Sequence, residues 1–191
     1  MKYLITIFLL FCNLAFADQI TKEETIKNLI KEQRDRNLNF NLKEYEFELT
    51  ELECLALTVY HEARGEGETG IKAVAFVIHN RVTLSRRMKS QGAQKPYWGV
   101  TYCDTVYQDN QFSFINDNKN DSVLYFHDYE KILRICYDLM YNGGFLLEKS
   151  PVGKSYFFHS LEKPKDWMYH SHYDYVATLG NHHFFTFKGE N

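Results

Sequence analysis

The 191-residue sequence is poor in chain breakers, with three prolines and ten glycines. So little of either excludes a collagen-like or low-complexity chain. Positive charge is not in excess: 22 Lys and Arg stand against 25 Asp and Glu, for a net charge of −3. A chain without a basic surplus lacks the electrostatic footprint of a nucleic-acid binder, and none is expected as a partner. Cysteine is scarce, at four residues, and no C-x-x-C pair occurs to favour a zinc site. Neither H-E-x-x-H nor G-x-S-x-G is present, nor is any internal repeat. What the chain has is 45% hydrophobic residues and 16% aromatics, from 15 Phe, 14 Tyr and 2 Trp. A single domain of this size buries about 70% of its unfolded surface and needs no staples to fold. The aromatics suit either a core of large rings or a groove that stacks flat ligands.

The first seventeen residues read as an address rather than as fold. Lys2 is followed by the apolar run Leu4 to Phe11, and Ala15-Phe16-Ala17 supplies an A-x-A cleavage site. The run falls short of the ~20 apolar residues that span a bilayer, so a signal peptide is preferred over a retained anchor. Bulky Phe11 before Cys12 argues against a lipoprotein signal. Export to the periplasm or cell envelope is expected, with no stable membrane anchor after cleavage. In that oxidising compartment disulfides persist. Cys54, Cys103 and Cys136 remain, an odd count that permits one bridge and one free thiol.

Residues 18–48 read as a solvated helical lead-in, with Thr21 and Glu24 as a capping box and Ile26, Leu29 and Ile30 at helical spacing. Asn37 to Asn39 are expected to end it. A stronger helix covers 51–64, capped by Thr50 with Glu53 at N3 and stopped by Gly65 and Gly67. Its stripe is Leu52, Leu55, Ala56, Val59 and Ala63. A second helix covers 70–82, through Ile71, Val74, Ala75, Ile78 and Val82. Residues 84–102 are basic and irregular and read as a surface loop. Short helical turns are expected at 104–108 and a longer helix at 129–141, ended by Gly143-Gly144. Three β-prone runs follow, at 155–160, 175–178 and 183–187. The fold class is therefore α+β, mostly helical with a small antiparallel sheet in the C-terminal third.

Three constellations could carry chemistry. Glu62, within His61-Glu62-Ala63-Arg64-Gly65-Glu66, lies at the edge of its helix's apolar stripe. Partial desolvation there raises a carboxyl pKa, which a general acid requires near neutral pH. The competing reading makes Glu62 and Glu66 surface charges paired with Arg64 or Lys72. The second constellation is His159, His170, His172, His182 and His183 near Asp166 and Asp174. Such residues suit a zinc-dependent amidase or peptidase, although no metal-ligand spacing is present and histidines among aromatics more often belong to the hydrogen-bonded structure. The third is Gln111-Phe112-Ser113-Phe114, where rings alternate with hydrogen-bonding groups. An exported glycan-binding module using the aromatics is the non-enzymatic alternative.

Taken together, the segments resemble the SleB-type cell-wall hydrolases, named for the spore-cortex-lytic enzymes. The pieces are Cys54 to Leu57, Tyr60 to Glu66, Gly70 through Ala73-Val74-Ala75 to Asn80-Arg81-Val82, Cys103 with Val106, and Gln111 to Ser113. Tyr156 to His159, Pro164, Trp167 and Leu179 to Phe185 complete the set, in the family's order over residues 52–187. Glu-Ala-Arg-Gly-Glu followed by Asn-Arg-Val is the specific part. The chain departs from the family in its longer 84–102 segment and in lacking a peptidoglycan-binding repeat.

The resemblance implies a lysozyme-like catalytic domain that acts on peptidoglycan glycan strands. That domain is taken as residues 49–191, and a monomer that uses no cofactor and no metal is expected. The resemblance also implies Glu62 as the catalytic acid and a Cys54–Cys103 bridge with Cys136 free. The expected reaction is lytic transglycosylation of the bond between N-acetylmuramic acid and N-acetylglucosamine, with muramidase-type hydrolysis of the same bond as the alternative. Glu66 and Arg64 are expected to support Glu62. Tyr60, Gln111, Phe112, Ser113, Tyr156, His159 and Trp167 are expected to line the cleft.

Overall fold

The computed structural model describes residues 19–36, 49–116, 122–162 and 171–190. The chain divides into two compact units, Met1–Tyr45 and Glu46–Asn191. In the first, helix α1 covers residues 19–36. It is already helical at Gln19, whose Nε2 donates to Glu23 Oε1 at 3.1 Å, so Thr21 lies inside the helix and is not its N-cap. The expected signal peptide and the expected stop at Asn37 to Asn39 lie outside the described residues. No helix among the described residues is long and apolar enough to cross a membrane.

The second unit is helical with one small sheet. Its elements are α2 (Glu51–Ala63), α3 (Glu68–Ser90), α4 (Tyr102–Val106), α5 (Ser113–Asn116), α6 (Phe126–Tyr141), α7 (Gly144–Leu147), β1 (Phe157–Ser160), β2 (Tyr173–Leu179) and β3 (His182–Phe187). Helix α2 is the central element and packs against α3, α4 and α6. Its start is fixed locally: Glu53 N donates to Thr50 Oγ1 at 3.2 Å, and Thr50 N donates back to Glu53 Oε2 at 2.9 Å. The five stripe residues expected on α2 are all buried.

Helix α3 is longer than its 70–82 stripe. It runs on to Ser90 because Leu84 and Ser85 continue the buried face, while Arg86, Arg87 and Lys89 are good helix formers on the exposed side. The reading of residues 84–102 as one surface loop is thereby corrected. Only the segment after Ser90 is irregular, and it folds back over α3. Trp98 is buried, its amide donates to Ser85 Oγ at 3.1 Å, and Arg86 Nε donates to Val100 O at 2.7 Å.

Helix α4 sits two residues earlier than expected, because Thr101 caps it through the Asp104 amide at 3.0 Å. A disulfide joins Cys54 on α2 to Cys103 on α4, with Cα atoms 5.1 Å apart, and Cys136 is a buried free thiol. The sheet has the order β1-β3-β2 and is antiparallel throughout. His159 faces His183 across β1 and β3, and a bulge interrupts β2 between Tyr175 and Ala177.

Candidate active site

Glu62 occupies the last turn of α2, between partly buried His61 and buried Ala63. Its carboxyl forms no hydrogen bond or ion pair with any described residue. Burial pushes its pKa from 4.5 up to about 7, and the charge of Arg81 pulls the other way. A carboxyl so poised is half protonated near neutrality, and the proton is not tied up by a neighbour.

Arg81 comes from α3 and is buried, at 5% exposure. Its Nε donates to the backbone oxygen of Tyr156 at 2.7 Å. Its guanidinium carbon lies 5.2 Å from the Trp98 ring and 5.4 Å from the Phe112 ring. Burial lowers its pKa to about 10, against the stabilising charge of Glu62, so it stays a cation at neutral pH. Nη1 of Arg81 is buried without a hydrogen-bond partner. An orphan donor on a buried cation is costly, and native structures hold few of them.

Glu66 has partners of its own on the hairpin. Its two carboxylate oxygens accept the Asn181 amide at 3.1 and 3.0 Å, and Oε1 lies 3.5 Å from His182 Nδ1. Asn181 belongs to the tight turn between β2 and β3. Gly180 in that turn has φ +55, and a Cβ built there would collide with Glu66 Oε2. On the other side, a Cβ on Gly70 would fall 2.6 Å from Glu66 Cβ. Two glycines thus leave room for one carboxylate that ties the hairpin to the α2–α3 turn. Burial holds His182 below its ordinary pKa, with Glu66 opposing that shift.

The remaining expected cleft residues separate into two groups. Gln111 and Ser113 are partly or fully accessible; Gln111 Oε1 accepts the Trp98 Nε1–H at 2.9 Å, and Ser113 is exposed at the start of α5. Phe114 beside it stacks on His61 at 4.5 Å, bringing α5 against the Glu62 turn. The expectation that Tyr60 lines a cleft is corrected. Its ring is wholly buried, and its hydroxyl accepts the Leu124 and Tyr125 amides at 3.1 and 3.0 Å. The same correction applies to Phe112 and Tyr156, which are buried as walls around Arg81 and Trp98 rather than as ligand surfaces. His159 is buried too, with Nδ1 2.7 Å from Ser160 O. Arg64 is exposed, its guanidinium 5.2 Å from the Tyr60 ring. Trp167, Asp166 and His170 lie outside the described residues. Among the described residues no group of three His, Cys, Asp or Glu is placed to hold a metal ion.

A family model for cell wall hydrolases matches residues 65–185, well over half of the chain. The chain belongs to the cell wall hydrolase family. Two solved structures are similar to this cell wall hydrolase. The catalytic domain of the germination-specific lytic transglycosylase SleB from Bacillus anthracis matches with a TM-score of 0.51 at 20% identity, covering 74% of this chain and 98% of that one. The catalytic domain of the Bacillus cereus SleB protein matches with a TM-score of 0.49 at 19% identity, covering 71% and 89%. No curated protein matches the chain.

The match to the family model begins just after Glu62 and includes Glu66, Arg81 and the whole hairpin. Arg81 and Trp98 are the site residues that sequence reasoning passed over. A signal for Arg81 existed: with Val74, Ile78 and Ser85 it falls at i+3 and i+4 steps on the buried face of α3. A lone cation inside an apolar stripe has to be paired or functional. Trp98 gave no such signal, because its burial depends on α3 running past it.

Proposed function

We propose that this cell wall hydrolase cleaves peptidoglycan glycan strands as a lytic transglycosylase, with Glu62 as its single catalytic acid and base. One observation carries the reading. Glu62 is a desolvated carboxyl with a pKa raised to about 7 and no hydrogen-bond partner among the described residues. Its proton goes to the glycosidic oxygen between N-acetylmuramic acid and N-acetylglucosamine. The bond breaks through an oxocarbenium-like state. The muramic C6 hydroxyl then attacks C1, and the Glu62 carboxylate takes the hydroxyl proton. The product carries a 1,6-anhydro ring, and no water is consumed.

A two-carboxylate hydrolase needs a second free carboxylate, about 5–9 Å from the first. Glu66 is the nearest in sequence, and both its oxygens are engaged by Asn181. That engagement supports the one-carboxylate route. So does the fold shared with a protein described as a lytic transglycosylase. Gln111 and Ser113 are the polar groups proposed to meet the sugar. The substrate lies outside the cytoplasm, so export through the signal-like first seventeen residues is part of the proposal, as is action as a monomer.

The deciding experiment is mass spectrometry of muropeptides released from purified sacculi by wild type and Glu62→Gln. Anhydro ends from the wild type and none from a folded E62Q are expected. Reducing ends alone would assign hydrolysis instead, and undiminished release by E62Q would remove Glu62 from the role.

A further inference from the structure

Arg81 is built into the enzyme at a cost that packing alone does not explain. A guanidinium is taken out of water, held by one carbonyl and two aromatic faces, and left with Nη1 unbonded. An apolar side chain would fill the same space without an orphan donor. Among the described residues, Arg81 is the one charged group that acts on Glu62. The other charges near the α2 end are occupied. Glu66 faces Asn181 and His182, Arg64 lies over Tyr60, and the His61 ring stacks on Phe114.

We propose that Arg81 is a positioning residue for Glu62, its fixed guanidinium keeping one buried N–H in reserve for the carboxylate that Glu62 becomes on giving up its proton. The inference rests on the proposed acid role of Glu62. Before the reaction the Glu62 carboxyl is neutral and needs no partner. As the proton passes to the glycosidic oxygen, the electron pair left on Glu62 develops negative charge in a desolvated site. A preformed cation there is worth more than it would be in water, and it does not have to reorganise. When Glu62 takes the C6 hydroxyl proton back, the carboxyl is neutral again and Arg81 returns to its unpaired state. Atoms and charge balance over the cycle.

The test is the pH profile of kcat and KM for muropeptide release by wild type, Arg81→Gln and Arg81→Lys. Arg81→Gln keeps a donor for the Tyr156 carbonyl and removes the charge. It should lower kcat by about 10-fold or more, move the alkaline limb upward by about half a pH unit or more, and leave KM within about twofold. Arg81→Lys should bring the limb back toward wild type. An alkaline limb unmoved in folded Arg81→Gln overturns the proposal, as does a loss confined to KM.

A second readout uses the unaltered protein and does not depend on the variants folding. The Arg81 side-chain 15N resonance of the free protein should titrate with the midpoint of the kcat/KM limb, and Glu62→Gln should abolish that titration. A resonance flat from pH 5 to 9 overturns the coupling. Turnover by Glu62→Gln would instead overturn the acid assignment, and the 15N titration in wild type separates the two failures.

Discussion

The Tyr60 hydroxyl accepts the backbone N–H of Tyr125 at 3.0 Å and so closes the start of α6 from a position 65 residues earlier in the chain. The Leu124 amide donates to the same oxygen at 3.1 Å. Tyr125, the residue before α6, supplies no side-chain cap of its own. Tyr60→Phe keeps the buried ring and removes this acceptor. Two amides are then left short of a partner, and a loss of roughly 1–3 kcal/mol in urea unfolding is expected. Specific activity of the folded fraction should stay near wild type. A large kcat loss with unchanged stability would return Tyr60 to the substrate.

The raised pKa of Glu62 predicts how stability depends on pH. The folded state holds the Glu62 proton up to about pH 7, whereas the unfolded chain releases it near 4.5. The penalty for ionising the buried carboxyl therefore grows between those two values and is constant above them. Glu62→Gln should be more stable than wild type at pH 8, by up to about 3 kcal/mol before solvent access reduces it, and about equal to it at pH 4. Thermal unfolding of both proteins at the two pH values checks the sign. The wild-type kcat/KM should fall on the alkaline side with a midpoint near 7, as the acid form is lost.

Glu66 is predicted to hold the β2–β3 turn and not to perform chemistry. Glu66→Gln should cost about 1–3 kcal/mol, since a charge-assisted acceptor of the Asn181 amide is weakened. Hydrogen exchange at Asn181 should quicken first. Activity measured well below the melting temperature should fall by less than about 10-fold, far short of the 10²–10⁴ that general acid–base catalysis supplies. An E66Q variant as inactive as E62Q would point to a two-carboxylate hydrolase.

The Cys54–Cys103 bridge spans 49 residues, including all of α3. In the chain-entropy model a loop of that length is worth about 4 kcal/mol. The double variant Cys54→Ala, Cys103→Ala should unfold at markedly lower urea, with the slope m increased because its unfolded chain is less compact. Cys136 is expected to resist alkylation in the native state, since burial both hides it and pushes its thiol pKa up.

Elements fixed by neighbouring residues were the ones legible in the sequence. Thr50 and Glu53 are three apart and declare the start of α2 by themselves. The stripes of α2 and α3 declare their buried faces, and the β-prone runs their sheet. The far end of α3 was not legible, because Arg86, Arg87 and Lys89 look alike on an exposed helix face and in a loop. The role of Tyr60 was hidden for another reason: a tyrosine beside the proposed acid Glu62 looks like a ligand for sugar, and its partner amides are 64 and 65 residues away. Glu62 was readable as the odd carboxylate at the rim of a stripe. The charge that acts on it comes from a second helix, and that influence exists only once α2 and α3 have packed.

The crowding of Gly180 against Glu66 constrains how this chain can vary. An alanine at 180 is strained by its positive φ and strikes the Glu66 carboxylate as well. Shortening Glu66 clears the space but abandons the Asn181 amide. Each single step is harmful, and each partly cancels the harm of the other, so the two positions are epistatic. Replacement of this turn has to pass through a less stable intermediate or occur at both positions together. Libraries that randomise position 180 alone should recover chiefly glycine, and replacements there should appear together with a shortened residue 66.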